Sequence, residues 1–215
     1  EVIDISTEKK AVIVRDLLSA QKSEIHFDKL ILSPGATPIV PPIAGIERAL
    51  TLRTFEDVLR IYEAVEVKPK SAVVIGGGFI GVEMAENLVH KGIKTSLIEA
   101  LPQVLAPLDP EMAELVHQEL RKNGIDLHLA NSVKEITSDE VILSDGSKVS
   151  AELVIASIGV KPDITLASAA GVEIGSKGGI SVNGFNQTSN PDIYAIGDVA
   201  EKNDDLTGER TLIPL

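Results

Sequence analysis

The chain of 215 residues contains no cysteine and no tryptophan. Disulfides, thiolate metal sites and thiol chemistry from its own residues are therefore excluded. Aromatic residues are scarce at 3%, so the core must be aliphatic, and 44% hydrophobic residues are enough to build one. Positive charge is also short. Twenty Lys and Arg stand against 32 Asp and Glu, a formal net charge of −12. Such a chain repels phosphate backbones and anionic lipid, which argues against nucleic-acid and membrane partners. No apolar run reaches the length of a membrane span. No signal peptide is visible, and a cytoplasmic location is expected. His26, His90, His117 and His128 show no ligand spacing, so no metal is expected. His90 and His117 fall on predicted helices and are expected at the surface. The chain begins at Glu1 and stops in Ile213-Pro214-Leu215, and both ends read as cut.

What is present centres on Val73-Val74-Ile75-Gly76-Gly77-Gly78-Phe79-Ile80-Gly81-Val82-Glu83-Met84-Ala85. A β-branched run leads into Gly76-x-Gly78-x-x-Gly81, and the glycines open an amphipathic helix. Strand, glycine turn, helix is the context a dinucleotide fingerprint requires. Gly76 allows the tight turn, Gly78 lets the backbone approach a pyrophosphate, and Gly81 lets helix and strand pack closely. The helix N-terminus offers free N–H groups to phosphate. The next apolar strand, Thr95–Ile98, ends in Glu99. An acid roughly 20 residues after the first glycine is placed for a ribose 2′-OH. The bland alternative is a glycine turn in an unrelated βαβ unit with Glu99 merely solvated. Strand context and acid together favour the nucleotide.

Before this centre, residues 2–5, 11–15 and 23–27 read as strands, and Lys29–Leu32 as a buried strand ending at Ser33-Pro34-Gly35-Ala36-Thr37-Pro38. That turn suits the ligand edge of a sheet, and a plain turn explains it equally well. Ile39–Gly45, with Pro41-Pro42, reads as a stiff connector. Thr54-x-x-Asp57 resembles a capping box, followed by Phe55, Val58, Leu59, Tyr62 and Val65 at helical spacing. The fingerprint helix should place Ile80, Met84 and Leu88 on one face and stop at Gly92. Asp109-Pro110 should open a further helix with Met112, Leu115, Val116 and Leu120 as its buried stripe. The pattern βαβαβ then gives way to short strands at 132–137, 140–143 and 148–150, the last two joined across Asp145-Gly146. Leu153–Ile158 is a buried strand returning to the sheet. Farther on, Ile193–Ile196 delivers Gly197-Asp198 to a turn, where the carboxylate could bond a ligand hydroxyl or simply cap a following helix. The expected fold class is α/β, a Rossmann-like three-layer domain of βαβαβ plus an antiparallel meander.

Three ordered segments, Ser33–Pro38, Gly76–Glu83 and Thr188–Asp198, together resemble the flavin-dependent pyridine nucleotide–disulfide oxidoreductases. The resemblance is closest to the branch with coenzyme A-disulfide reductases, NADH oxidases and NADH peroxidases. Val82–Asn87 and the tail Thr211-Leu212-Ile213-Pro214-Leu215 are most like the coenzyme A-disulfide reductases. The resemblance implies that residues 1–43 are the end of a first FAD-domain segment, 44–163 an NAD(H)-binding domain and 164–215 a returning FAD-domain segment. It implies that Gly76, Gly78 and Gly81 hold the NAD pyrophosphate, that Gly77 and Ile80 belong to the same cofactor site, and that Phe79 covers the flavin when no nicotinamide is bound. Glu83 would position the nicotinamide ring, and the backbone at Gly159 would lie along it. Glu99 would take the ribose hydroxyls and favour NADH over NADPH. Ser33 and Gly35 would approach FAD, and Asp198 would bind its ribityl hydroxyls.

The family's first glycine fingerprint, redox cysteine and dimerisation domain are not in this sequence. The expectation is therefore a portion of an enzyme that passes hydride from NADH to FAD and then to a disulfide, oxygen or peroxide. The full-length protein is expected to be a homodimer. Without the cysteine the portion alone is expected to lack disulfide reductase activity. The alternatives are an NADH-dependent rubredoxin, ferredoxin or nitrite reductase component, and a non-catalytic NAD-binding module.

Overall fold

Buried β-branched strands set the frame. The computed structural model describes residues 1–212, so the expected likeness at Ile213-Pro214-Leu215 lies outside the described residues. The chain divides into two compact units: a first of Glu1–Thr37 together with the chain from Lys161 onward, and a second of Pro38–Val160. In chain order, β1 (Val2–Ser6), β2 (Ala11–Arg15) and β3 (Lys22–His26) form an antiparallel sheet, and β4 (Leu30–Leu32) and β5 (Ala36–Pro38) follow. The second unit runs β6 (Leu50–Thr51), α1 (Phe55–Glu66), β7 (Ser71–Ile75), α2 (Phe79–His90), β8 (Lys94–Ile98), α3 (Pro110–Lys122) and β9 (Asp126–His128). It closes with β10 (Val133–Ile136), β11 (Glu140–Leu143), β12 (Lys148–Ser150) and β13 (Leu153–Ala156). The chain then returns through β14 (Val160–Pro162), α4 (Thr165–Ala169), β15 (Ile180–Ser181), β16 (Ile193–Ala195), β17 (Ala200–Asn203) and β18 (Arg210–Leu212).

The second unit has the expected three layers. Its parallel sheet has the order β6-β13-β7-β8-β9. Strand alternation sends Ala72, Val74, Leu97 and Ile155 to one face, where Ile61, Ala85, Leu88 and Leu120 of the helices meet them. Val73, Ile75, Ile98 and Val154 face the other way, onto the antiparallel β10-β11-β12 meander. Val73, Val74, Leu97 and Ile155 are fully buried, each worth roughly 1.5–3 kcal/mol. From β7 the chain winds one way through β8 and β9, and β13 lies on the other side of β7. The carboxyl ends of β7 and β13 therefore flank a topological switch point, where open α/β sheets bind ligands.

The units change over at Thr37/Pro38 and Val160/Lys161. The Pro41-Pro42 connector belongs to the second unit. Ile39 N–H donates to Gly159 C=O at 2.9 Å, and Ile43 and Ile46 pack against the meander cluster.

Helix ends follow the sequence, but helix faces do not. Thr54 and Asp57 form a full capping box on α1, yet Phe55, Val58, Leu59 and Tyr62 are exposed, with Ile61 buried instead. Asp57 turns inward because its carboxylate accepts the N–H groups of Arg53 and Thr54, both at 2.9 Å. On α2 the packing face is Gly81, Ala85 and Leu88, and Ile80 is exposed. On α3 the expected stripe is half wrong: Met112 and Leu115 are exposed, while Ala113, His117 and Leu120 are buried. The expected surface position of His117 is also corrected, since it is only 4% exposed. The cause is shared. Each helix covers the sheet with a narrow stripe, and apolar residues lie on both sides of it.

In the first unit, β4 and β16 pair in parallel, Leu30 with Ile193 and Leu32 with Ala195. Ile5, Leu32, Ile180, Ile193 and Val199 form its core. Ile31 points the other way and is exposed. The β15-β17-β18 sheet is tied by Glu201, fully buried beneath Arg210.

Candidate dinucleotide site

The glycine turn leaves β7 at the switch point. Gly76 has φ +104, and a Cβ there would sit 2.4 Å from Ser157 O. Its N–H donates to Ile98 O at 2.8 Å, while Ser157 N–H donates to Ile75 O at 2.7 Å. Gly81 meets the turn from within α2: a Cβ on it would lie 1.9 Å from Gly76 O. Both positions exclude any side chain for steric reasons, as expected from the spacing. Gly78 differs. A Cβ built on it meets nothing within 4 Å, so its face is open for a ligand. Gly78 is also the N-cap of α2, which has no side-chain cap and no acid in its first turn. Its first-turn N–H groups, with the positive end of the helix dipole, are left for an anion. By contrast α1 closes its own N-terminus with Thr54 and Asp57.

Glu99 leaves the end of β8 and reaches back to this turn. Its Oε2 accepts Gly77 N–H at 2.6 Å and its Oε1 accepts Leu101 N–H at 2.7 Å. A carboxylate accepts about four hydrogen bonds, so lone pairs remain for a vicinal diol. Phe79 and Glu83 lie one turn apart on α2, both exposed, Phe79 at 66%. Gly159 follows β13 with φ +116 and is exposed. Gly78, Glu83, Glu99 and Gly159 all belong to this one unit.

The first unit gathers the remaining expected residues. Because β4 and β16 run side by side, Ser33 and Gly197-Asp198 emerge from adjacent strand ends. A Cβ on Gly197 would lie 3.5 Å from Ser33 Oγ. Gly35, with φ +74, accepts Asp163 N–H at 3.0 Å. Asp198 is half-buried in a 3-10 turn, Gly197–Val199.

A family model for pyridine nucleotide-disulphide oxidoreductases matches residues 1–212. The chain belongs to this family. It is 39% identical to an NADH oxidase of Methanocaldococcus jannaschii over 99% of this chain and 49% of that protein. It is 34% identical to the large subunit of an NADH nitrite reductase of Escherichia coli, over 86% of this chain and 23% of that protein. Among solved structures, reduced Bacillus anthracis CoADR-RHD superposes with a TM-score of 0.97 at 43% identity, covering 100% of this chain and 40% of that one. The water-forming NADH oxidase from Lactobacillus brevis bound to NADH gives 0.92 at 29% identity, covering 100% and 49%. The chain spans about half the length of the NADH oxidases it matches.

Three features of the site escaped the sequence. The stretch after Glu99 folds over the glycine turn, with Leu105 N–H donating to Gly77 O at 2.8 Å. His117 reaches that stretch from α3, its Nε2 accepting Val104 N–H at 3.1 Å. The buried Oγ of Ser157 has no hydrogen-bond partner. No spacing rule singles out these positions. They depend on which polar side chain of a helix or strand end turns inward.

Proposed function

We propose that this chain is the NADH-binding portion of an FAD-dependent pyridine nucleotide–disulfide oxidoreductase, with residues 44–163 as its NAD(H) domain and the flanking segments as parts of its FAD domain. The observation that carries the reading is the open face of Gly78 over an uncapped helix N-terminus, with Glu99 beside it. In the full-length protein the bound NADH and FAD would supply hydride and electron-transfer chemistry toward a cysteine-linked disulfide such as coenzyme A disulfide, or toward oxygen or peroxide. Gly76, Gly78 and Gly81 shape the turn that holds the pyrophosphate, with Gly77 and Ile80 in the same cofactor site. Glu99 binds the adenosine ribose hydroxyls, and its charge opposes the 2′-phosphate of NADPH. Glu83 and the Gly159 backbone orient the nicotinamide, and Phe79 shields the flavin when the nicotinamide is away. Ser33, Gly35 and Asp198 contact FAD. The full-length protein is proposed to be a cytoplasmic homodimer. No helix among the described residues is long and apolar enough to cross a membrane.

The likeness to the nitrite reductase large subunit favours a second reading, in which the same nicotinamide and flavin sites feed a different acceptor. The test common to both is calorimetric titration of the chain with NADH and NADPH. Saturable NADH binding with much weaker NADPH binding supports the assignment, and a folded sample that binds neither overturns it.

A further inference from the structure

The Gly77 peptide is gripped on both sides. Its N–H donates to Glu99 Oε2 at 2.6 Å, and its C=O accepts Leu105 N–H at 2.8 Å. Val104, next to Leu105, is fully buried against Gly77: a Cβ on Gly77 would meet its Cγ1 at 2.8 Å. The 101–108 stretch is thus a brace across the back of the glycine turn, and it is itself anchored from α3. Val104 N–H donates to His117 Nε2 at 3.1 Å. The other ring nitrogen, Nδ1, lies 3.1 Å from Glu114 Oε2. These partners assign the tautomer: Nδ1–H donates to the carboxylate, and Nε2 keeps its lone pair for Val104.

We propose that His117 is a positioning residue for dinucleotide binding, holding the brace on Gly77 only while its imidazole is neutral. The proposal rests on the NADH reading of the glycine turn. A protonated imidazole is a donor at both nitrogens. Nε2–H would then face Val104 N–H, the two would repel, and the brace would lift from Gly77. The turn would lose its fixed shape, and nucleotide affinity would fall once the imidazole is protonated. On α3 the charged neighbours are Glu114, beside the ring, and Arg121, which acts on Glu114. The brace side brings Glu99, already held by two backbone N–H groups, and Asp109 at the start of α3. From β9, which packs on α3, come Asp126 and His128, paired with each other at 3.1 Å. His128 is a second imidazole close by, so the test must separate the two histidines.

The test uses the 215-residue chain as wild type, His117→Gln and His117→Leu. NADH affinity is measured by calorimetry from about pH 8 to about pH 5.5, the range of histidine titration. Amide hydrogen exchange at Gly77, Val104 and Leu105 is read in parallel without nucleotide. Glutamine places an amide oxygen near the Nε2 position and does not titrate. The wild type should lose NADH affinity roughly 3- to 10-fold on acidification, the worth of one hydrogen bond. His117→Gln should bind as the wild type does at high pH and stay flat. His117→Leu should be weak at every pH, with the three amides exchanging faster. A flat wild-type profile overturns the proposal, as does acid weakening that persists in His117→Gln, which would point to His128. Unchanged affinity and exchange in folded His117→Leu also overturns it. If the wild type binds no NADH yet the three amides respond as stated, the brace stands and the NADH reading falls.

Discussion

Replacing Glu99 with alanine removes the acceptor of two backbone N–H groups at once, Gly77 at 2.6 Å and Leu101 at 2.7 Å. Hydrogen bonds to a charged acceptor are worth about 1.5–3 kcal/mol each. Leu101 is 50% exposed, so water replaces its lost partner. Gly77 is buried, and its N–H is left without one. The cost therefore falls mainly on Gly77, about 2 kcal/mol. Glu99→Gln keeps one acceptor oxygen but turns an NH2 group toward the second N–H, and should cost about half as much. Urea unfolding of the purified chain, followed by circular dichroism, measures both. The same variant shifts selectivity. Losing the negative charge helps NADPH alone, whereas loosening Gly77 weakens both nucleotides, so the NADH preference should disappear and NADH affinity should fall roughly tenfold. Unfolding of Glu99→Ala within about 0.5 kcal/mol of wild type, the size of an ordinary surface change, would refute the reasoning. So would a retained preference for NADH.

Two further expectations concern stability. Ser157→Ala removes a buried hydroxyl that has no partner and should stabilise the protein by about 1 kcal/mol in the same unfolding assay. Burial pushes the Glu201 carboxyl up, but the N–H groups of Gly179 and Lys177 and the Arg210 guanidinium outweigh it and hold it below its ordinary value of 4.5. Its stabilising contribution is therefore complete above pH 4.5 and is lost as pH falls through the lower folded-state value. Glu201→Gln should cost about 3 kcal/mol at neutral pH and flatten that acid limb, as read by unfolding between neutral and acidic pH.

Much of the fold was legible because local chemistry fixes it. The Thr54–Asp57 box, Pro110 after Asp109, and the glycine stop at Gly92 each satisfy a terminus from within the sequence. The strand–turn–helix at Gly76–Gly81 was equally clear, because two of its glycines admit no Cβ and the third leaves an open face. Helix faces were harder. Period 3.6 marks Met112 and Leu115 as well as Ala113 and Leu120, and only the sheet decides which pair it covers. His117 was misplaced for the same reason. A histidine three residues from Glu114 reads as a surface pair unless the 101–108 stretch is known to pack on it. The Pro41-Pro42 segment reads as a linker from composition, yet Ile39, Ile43 and Ile46 bind it to the second unit.

A dinucleotide whose pyrophosphate lies over Gly78 at the start of α2 should be displaced by a methyl group there, and titrating NADH into wild type and Gly78→Ala shows whether it is. The added Cβ meets nothing within 4 Å and the backbone there has φ −73, so the variant should fold with wild-type stability. Its NADH affinity should fall at least tenfold, because the methyl group occupies the phosphate's path. A folded Gly78→Ala that binds NADH as tightly as the wild type would contradict that placement.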